Sequence, residues 1–198
     1  MLRRLPVHIT AIALLLALAG CASAPNRIND VCAVFEQKDG WFDNWYAAAR
    51  QTEVEYGVPV PILMATIRKE SGYNANSRPP RTKLLGFIPW KRPSSAYGYS
   101  QALDGTWAQY KRETGKYGAD RNNFADAVNF IGWYHNQSHL KNGIELNDAY
   151  HLYLAYYFGQ VAFDRGEWKN NTNMQKVARS TADMAYSYDT QLQACRQQ

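Results

Sequence analysis

The sequence predicts a compact, mainly α-helical domain with one irregular loop, and three observations carry that prediction. The chain has 198 residues, 46% hydrophobic and 20% charged, which suits one globular domain and excludes intrinsic disorder or a collagen-like repeat. Apolar residues recur at helical spacing almost everywhere from Trp41 onward, punctuated by Gly, Pro and Asp. No run of any length alternates as a strand would, although a short hairpin has room over 82–97.

Taken in order, Trp41 to Tyr56 is rich in Ala, Glu and Gln and puts Trp45, Ala48, Ala49, Thr52 and Tyr56 on one stripe, closed by Gly57. Pro61 suits the first turn of a helix from Ile62 to about Glu70, because its missing N–H would find no partner there anyway. Asp104 is read as the cap of a helix holding Trp107 and Tyr110 and ending near Gly115. Asp126 is read as the cap of another, running to about Leu140, and Asp148 to Phe158 forms a further helix. The last helix aligns Met174, Val177, Thr181, Ala185, Tyr188, Leu192 and Cys195. Trp41, Trp45, Trp133, Tyr150, Tyr153 and Tyr186 fall on helical stripes and are read as core.

The net charge of +5 is local. Arg3 and Arg4 precede an apolar run, Ile9 to Gly20, of only 12 residues, too short for a membrane-spanning helix of about 20 and read as a secretory signal over residues 1–20. Without it the net charge is +3, and residues 78–92 hold five bases (Arg78, Arg81, Lys83, Lys91, Arg92) and no acid. The remainder is net −2, so a general nucleic-acid surface is excluded. The signal ends Leu18-Ala19-Gly20-Cys21, which resembles a bacterial lipobox. That resemblance implies cleavage before Cys21, lipid attachment to it, a tether over 21–31 and a folded domain over 32–198. With Ala22 after the cysteine, where inner-membrane retention favours Asp, the expected address is the periplasmic face of the outer membrane. In an exported, oxidising compartment Cys32 and Cys195 are expected to pair as a disulfide, with free thiols the alternative.

Chemistry centres on Glu70. A helical period sets Leu63, Ile67 and Glu70 on one face, so a carboxyl follows two aliphatic side chains at a helix C-terminus. Burial and the negative end of the helix dipole both favour its neutral form, the condition for a general acid near neutral pH. On the helix pattern alone the commoner case is a carboxylate paired with a base at a helix end, since structural ion pairs outnumber catalytic acids.

The surrounding segment, Tyr56-Gly-Val-Pro-Val-Pro-Ile-Leu-Met-Ala-Thr-Ile-Arg-Lys-Glu70-Ser71-Gly-Tyr-Asn, resembles the first motif of the soluble-lytic-transglycosylase (SLT) family of peptidoglycan enzymes. Three further blocks follow in that family's order: Ala96-Tyr-Gly-Tyr99-Ser100-Gln101 with Thr106-Trp107, then Asp126-Ala-Val-Asn129-Phe-Ile-Gly132-Trp-Tyr134, then Leu154-Ala-Tyr156-Tyr157-Phe-Gly159. The resemblance covers about residues 45–160. It departs at Ser100, where Met is usual, at Asp104, where Pro is usual, and at Tyr157, where Asn is usual. Residues 70 and 101 are also more widely spaced than expected, because the basic stretch lies between them.

The resemblance implies an α+β lysozyme-like fold around a glycan-binding cleft. It also implies cleavage of the β-1,4 bond between N-acetylmuramic acid and N-acetylglucosamine with a 1,6-anhydro product, Glu70 serving as acid and then base. Ser71 would steady Glu70, Gln101 and Tyr156 would hydrogen-bond sugar or catalytic groups, Tyr99 would line the cleft with Trp107 near it, and Tyr157 would bear on substrate geometry. No cofactor is implied. Two other readings stand beside it: a hydrolytic muramidase of the same fold, and a catalytically silent peptidoglycan-binding scaffold.

Two features lie outside that reading. Residues 78–95 mix bases, prolines and the apolar Leu85, Phe87 and Trp90, which suits a flap over the cleft, a docking loop for an envelope partner or acidic glycan, or a plain surface insertion. His135 and His139 are spaced i, i+4 without the Glu of a zinc hydrolase between them, so they are read as half-exposed helix residues and not as metal ligands.

Overall fold

The computed structural model describes residues 24–39 and 44–195. They form eight α-helices: α1 (Val31–Lys38), α2 (Trp45–Tyr56), α3 (Val60–Ser71), α4 (Asp104–Thr114), α5 (Phe124–Asn142), α6 (Ala149–Phe158), α7 (Gln160–Asp164) and α8 (Thr172–Cys195). A 3-10 turn, Glu167–Asn170, precedes α8. Between α3 and α4 a hairpin pairs β1 (Lys83–Leu84) with β2 (Ile88–Pro89), Lys83 opposite Pro89 and Leu84 opposite Ile88. The mainly α class therefore holds, with the small hairpin inside the predicted interval.

The centre of the fold is α3. The sequence suggested one apolar stripe, but every residue from Val60 to Ile67 is buried, the pattern of a helix enclosed on all sides. It packs against α2, α5 and α8, and α6 lies between α5 and α8. Helix α2 approaches α5 closely because Gly132 has no side chain. A Cβ there would lie 2.3 Å from Thr52 Cγ2 and 3.0 Å from Tyr56 Cδ2, well inside van der Waals contact. Trp45 stacks on Phe124 with ring centroids 3.8 Å apart, fixing the start of α2 to the start of α5.

The caps correct two sequence assignments. Asp104 is the first residue of α4 and pairs with Arg121 at 2.8 Å instead of capping the helix. The cap of α5 is Asn123, whose side chain accepts from Asp126 N–H, while Asp126 itself accepts from Asp120 N–H at 2.9 Å. Both aspartates sit in a first turn, where a negative charge meets the positive end of the helix dipole. Asp148 does cap α6, accepting from His151 N–H.

Cys32 and Cys195 are disulfide-bonded across 163 residues of sequence. Closing so long a loop stabilises the fold by about 5 kcal/mol on the chain-entropy account. The stretch expected as a free tether is docked from Pro25 onward: Asn26 N–H donates to Gln37 Oε1 at 2.8 Å, Tyr188 donates to the Ile28 carbonyl, and Gln191 Nε2 donates to the Asn29 carbonyl at 3.0 Å. The expected signal segment, Cys21 and Trp41 lie outside the described residues. Among the described residues no helix is long and apolar enough to cross a membrane.

Candidate active site

Glu70 lies one residue before the end of α3, which Gly72 terminates in the left-handed conformation (φ 58°). The apolar body of α3 carries its carboxyl to the floor of a cleft of about 400 Å³. One wall comes from the end of α6 (Tyr156, Tyr157, Phe158), the other from Ala96, Gln101 to Leu103, and Thr106 on α4; Phe130 and Tyr134 of α5 complete it. Glu70 is the one acidic side chain among the residues lining the cleft.

Glu70 is half-buried, and burial pushes its carboxyl from the ordinary 4.5 up to about 7. Two weaker influences oppose that rise: a hydrogen bond from the Tyr153 hydroxyl and the nearby positive charge of Lys69. Arg68 is turned away, its guanidinium held by Asn29 Oδ1 with Nε at 3.0 Å. A carboxyl with this pKa is partly protonated at neutral pH, so it can donate a proton and, having done so, accept one.

Of the other predicted site residues, the structure brings Gln101, Tyr156 and Tyr157 to the cleft with Glu70. Gln101 adopts a left-handed backbone (φ 51°) and its Nε2 donates to the carbonyls of Ser77 (2.9 Å) and Gly98 (2.8 Å). Its amide nitrogen thus fixes the wall, while its oxygen accepts no bond from the described residues. Gly98 makes that turn possible, since a Cβ there would lie 2.0 Å from the Arg121 carbonyl oxygen. The Tyr156 hydroxyl donates to the Ser100 carbonyl at 2.6 Å, so Tyr156 offers the cleft its ring while its hydroxyl braces the wall. Tyr157 is 55% exposed at the rim, a flat apolar surface of the kind on which a sugar ring stacks.

Other assignments are corrected. Ser71 does not reach Glu70; its hydroxyl donates back to the Ile67 carbonyl at 3.2 Å, as helical serines commonly do. Tyr99 does not line the cleft but is buried edge-on against Trp45 and Phe124. Trp107 is likewise in the core, packed on Tyr110 and Phe130. Tyr186 is 77% exposed, and Tyr150 is only half-buried.

His135 is fully buried, not half-exposed. Its Nε2 lies 3.1 Å from Thr66 Oγ1, and burial lowers its pKa to about 3. The Nδ1 of His139 lies 2.8 Å from the Ile144 carbonyl oxygen. Among the described residues no group of three or more His, Cys, Asp or Glu side chains could hold a metal ion.

Sequence reasoning missed Tyr153. It was placed with the core, where it is indeed buried, yet its hydroxyl bonds the Glu70 carboxyl. The available signal was its position three residues before Tyr156 on the same helix, which puts both phenols on one face.

A half-buried acid at the end of a central helix, facing a cleft walled by aromatic rings and the Gln101 amide, is the arrangement of a lysozyme-like glycan-cleaving domain. The chain matches the transglycosylase SLT domain over residues 9–195 and belongs to that family. It matches no curated protein sequence. Family membership gives the chain lytic-transglycosylase-type chemistry on peptidoglycan as its general class.

Proposed function

We infer that this protein cleaves the β-1,4 bond between N-acetylmuramic acid and N-acetylglucosamine without consuming water, leaving a 1,6-anhydromuramoyl end. The observation that carries the reading is the solitary Glu70, held near pKa 7 in a cleft to which no second carboxyl among the described residues contributes. Glycosidases that deliver a water molecule or a protein nucleophile use two carboxyl groups at a set separation. A transglycosylase takes its nucleophile from the substrate, so one suffices.

Protonated Glu70 donates to the glycosidic oxygen as the bond from that oxygen to the muramoyl anomeric carbon breaks. The C6 hydroxyl oxygen of the same muramoyl residue then bonds to that carbon, and its proton passes to the Glu70 carboxylate. Both glycan ends are complete and the acid is restored in its starting form. Tyr153 steadies the carboxylate between the two transfers, and Gln101 and the rings of Tyr156 and Tyr157 hold the strand along the groove. In the cell this activity would serve wall remodelling from the periplasmic face of the outer membrane, through the lipid anchor expected on Cys21.

The test is to incubate the chain from Ala22, and its Glu70→Gln variant, with purified sacculi and to weigh the released muropeptides. Anhydro-ended products from the wild type and none from the variant are expected. Reducing ends lost in the variant would make the protein a muramidase, and sacculus binding with no release from either would make it a scaffold.

A further inference from the structure

The β1–β2 hairpin takes no part in the cleft, and its composition is unlike the rest of the surface. At its tip Leu85 is 76% exposed, Phe87 72% and Trp90 50%, with Ile88 also exposed. The tip is well built: Thr82 N–H donates to the Lys91 carbonyl at 3.0 Å, Trp90 N–H donates to the Thr82 carbonyl at 2.6 Å, and the Thr82 hydroxyl donates to the Lys91 carbonyl at 2.7 Å. Leu85 and Gly86 turn the chain with positive φ, 52° and 82°. Such a position ordinarily takes Gly, Asn or Asp, so turn chemistry does not account for a leucine facing water there. Five bases flank this apolar tip in sequence, over residues 78–92, with no acid among those residues and none of the five in an ion pair within the described residues; Arg78 lies over the Tyr97 ring, Arg92 donates to the Pro79 carbonyl and Arg81 to the Trp90 carbonyl. Lys83 and Lys91 flank the tip and are exposed.

We propose that this hairpin docks the domain on an anionic phospholipid surface, with Leu85, Phe87 and Trp90 entering the interface and the flanking bases meeting the headgroups. Aliphatic and aromatic side chains flanked by Lys and Arg have the chemistry of that boundary, where rings sit at headgroup level and cations meet phosphates. Each base near such a surface strengthens association about fivefold, and the absence of acids leaves that attraction unopposed. The N-terminal segment and the chain that leads to the hairpin meet beside α3: Arg68 holds Asn29, Tyr188 holds the Ile28 carbonyl, and Tyr188 in turn accepts from Tyr73, ten residues ahead of β1. The chain on either side of the hairpin adjoins the cleft: Ala96 lines it, and the Ser77 carbonyl accepts from Gln101, which lines it too. Docking would fix the cleft's height and orientation above the bilayer. The proposal does not depend on turnover by Glu70.

The chain from Ala22 retains every described element, the core and the disulfide, so lipid anchoring can be separated from docking. Its co-flotation with vesicles of phosphatidylglycerol and phosphatidylethanolamine is measured against phosphatidylcholine vesicles. We expect binding to the anionic vesicles, weakened at least tenfold by 0.5 M salt. The triple variant Leu85→Ser, Phe87→Ser, Trp90→Ser should lose at least tenfold in vesicle affinity, and Lys83→Glu with Lys91→Glu should lose as much. All variants should keep the wild-type melting temperature and sacculus binding. No binding of the wild type to anionic vesicles, or equal binding by the triple variant, overturns the proposal. So does a triple variant that binds vesicles normally but loses its hold on sacculi, which would make the hairpin a glycan contact.

Discussion

The proposed reaction requires Glu70 to hold a proton at neutral pH, release it to one oxygen and take another from a second. Its environment favours the protonated state, through burial, more than Tyr153 and Lys69 favour the charged one. Because the first transfer needs the acid form, the pH profile of kcat/KM on sacculi should fall above about pH 7. Tyr153→Phe removes a donor to the carboxylate, so that falling limb should move to higher pH; a profile unchanged by the substitution would separate Tyr153 from the chemistry. The same burial works against stability. The folded state binds this proton more tightly than the unfolded chain, so stability falls as pH rises from 4.5 to about 7 and is lowest above it. A shift of that size corresponds to about 3 kcal/mol. Glu70→Gln should therefore raise the melting temperature clearly at pH 8 and much less at pH 5, read by calorimetry at both. The acid itself was legible from a carboxyl ending an apolar helical stripe and from the motif around it. Tyr153 was not, because a phenol that bonds an acid and a phenol that fills a core occupy the same helical positions. Tyr99 and Trp107 fail in the opposite direction: motif position suggested the cleft, and packing on Phe124 and Phe130 placed them in the core.

At the level of elements, the cleft depends on helices that meet more closely than ordinary side chains permit. Gly132→Ala would drive a methyl into Thr52 and Tyr56. Overpacking of that kind costs about 1–3 kcal/mol, set against a gain of about 1 kcal/mol in helix propensity. Urea unfolding should show a net loss, partly restored by Thr52→Ser, which removes the methyl that the new Cβ meets; equal stability of Gly132→Ala and wild type would mean that α2 and α5 separate freely. The existence and order of α2 to α6 and of α8 were legible from periodicity and from the glycines that end α2, α3 and α4, whereas the short α1 and α7 carry too few turns to show a period. Helix starts were less so, since aspartate is favoured both at a cap and in the first turn. The buried His135 shows another limit. One face of α5 meets α3 through the Thr66 hydroxyl, and a sequence cannot show that a histidine has a buried hydroxyl opposite.

Across the whole molecule, the cleft joins residues from 70, 96–106, 130–134 and 156–159, and their convergence depends on α3 being enclosed by α2, α5 and α8. That enclosure was not legible in an apparent stripe, because a helix buried on all sides also contains one. The disulfide was legible from two cysteines and the expectation of export. Reducing it should lower stability by about 5 kcal/mol, measured as the change in urea midpoint with and without reductant; a change under 1 kcal/mol would show that the docked segment from Pro25 to Asp30 supplies the closure by itself. The bond also determines how a pull on the molecule is borne. Tension applied ahead of Ala24 reaches Cys32, where it divides between the chain running on through α1 and the disulfide to the end of α8. A wall under turgor strains whatever is fastened between it and a membrane. A chain gripped at its cleft and pulled at its leading end would thus be loaded through both ends of the fold at once, so neither α1 nor the end of α8 can peel away alone.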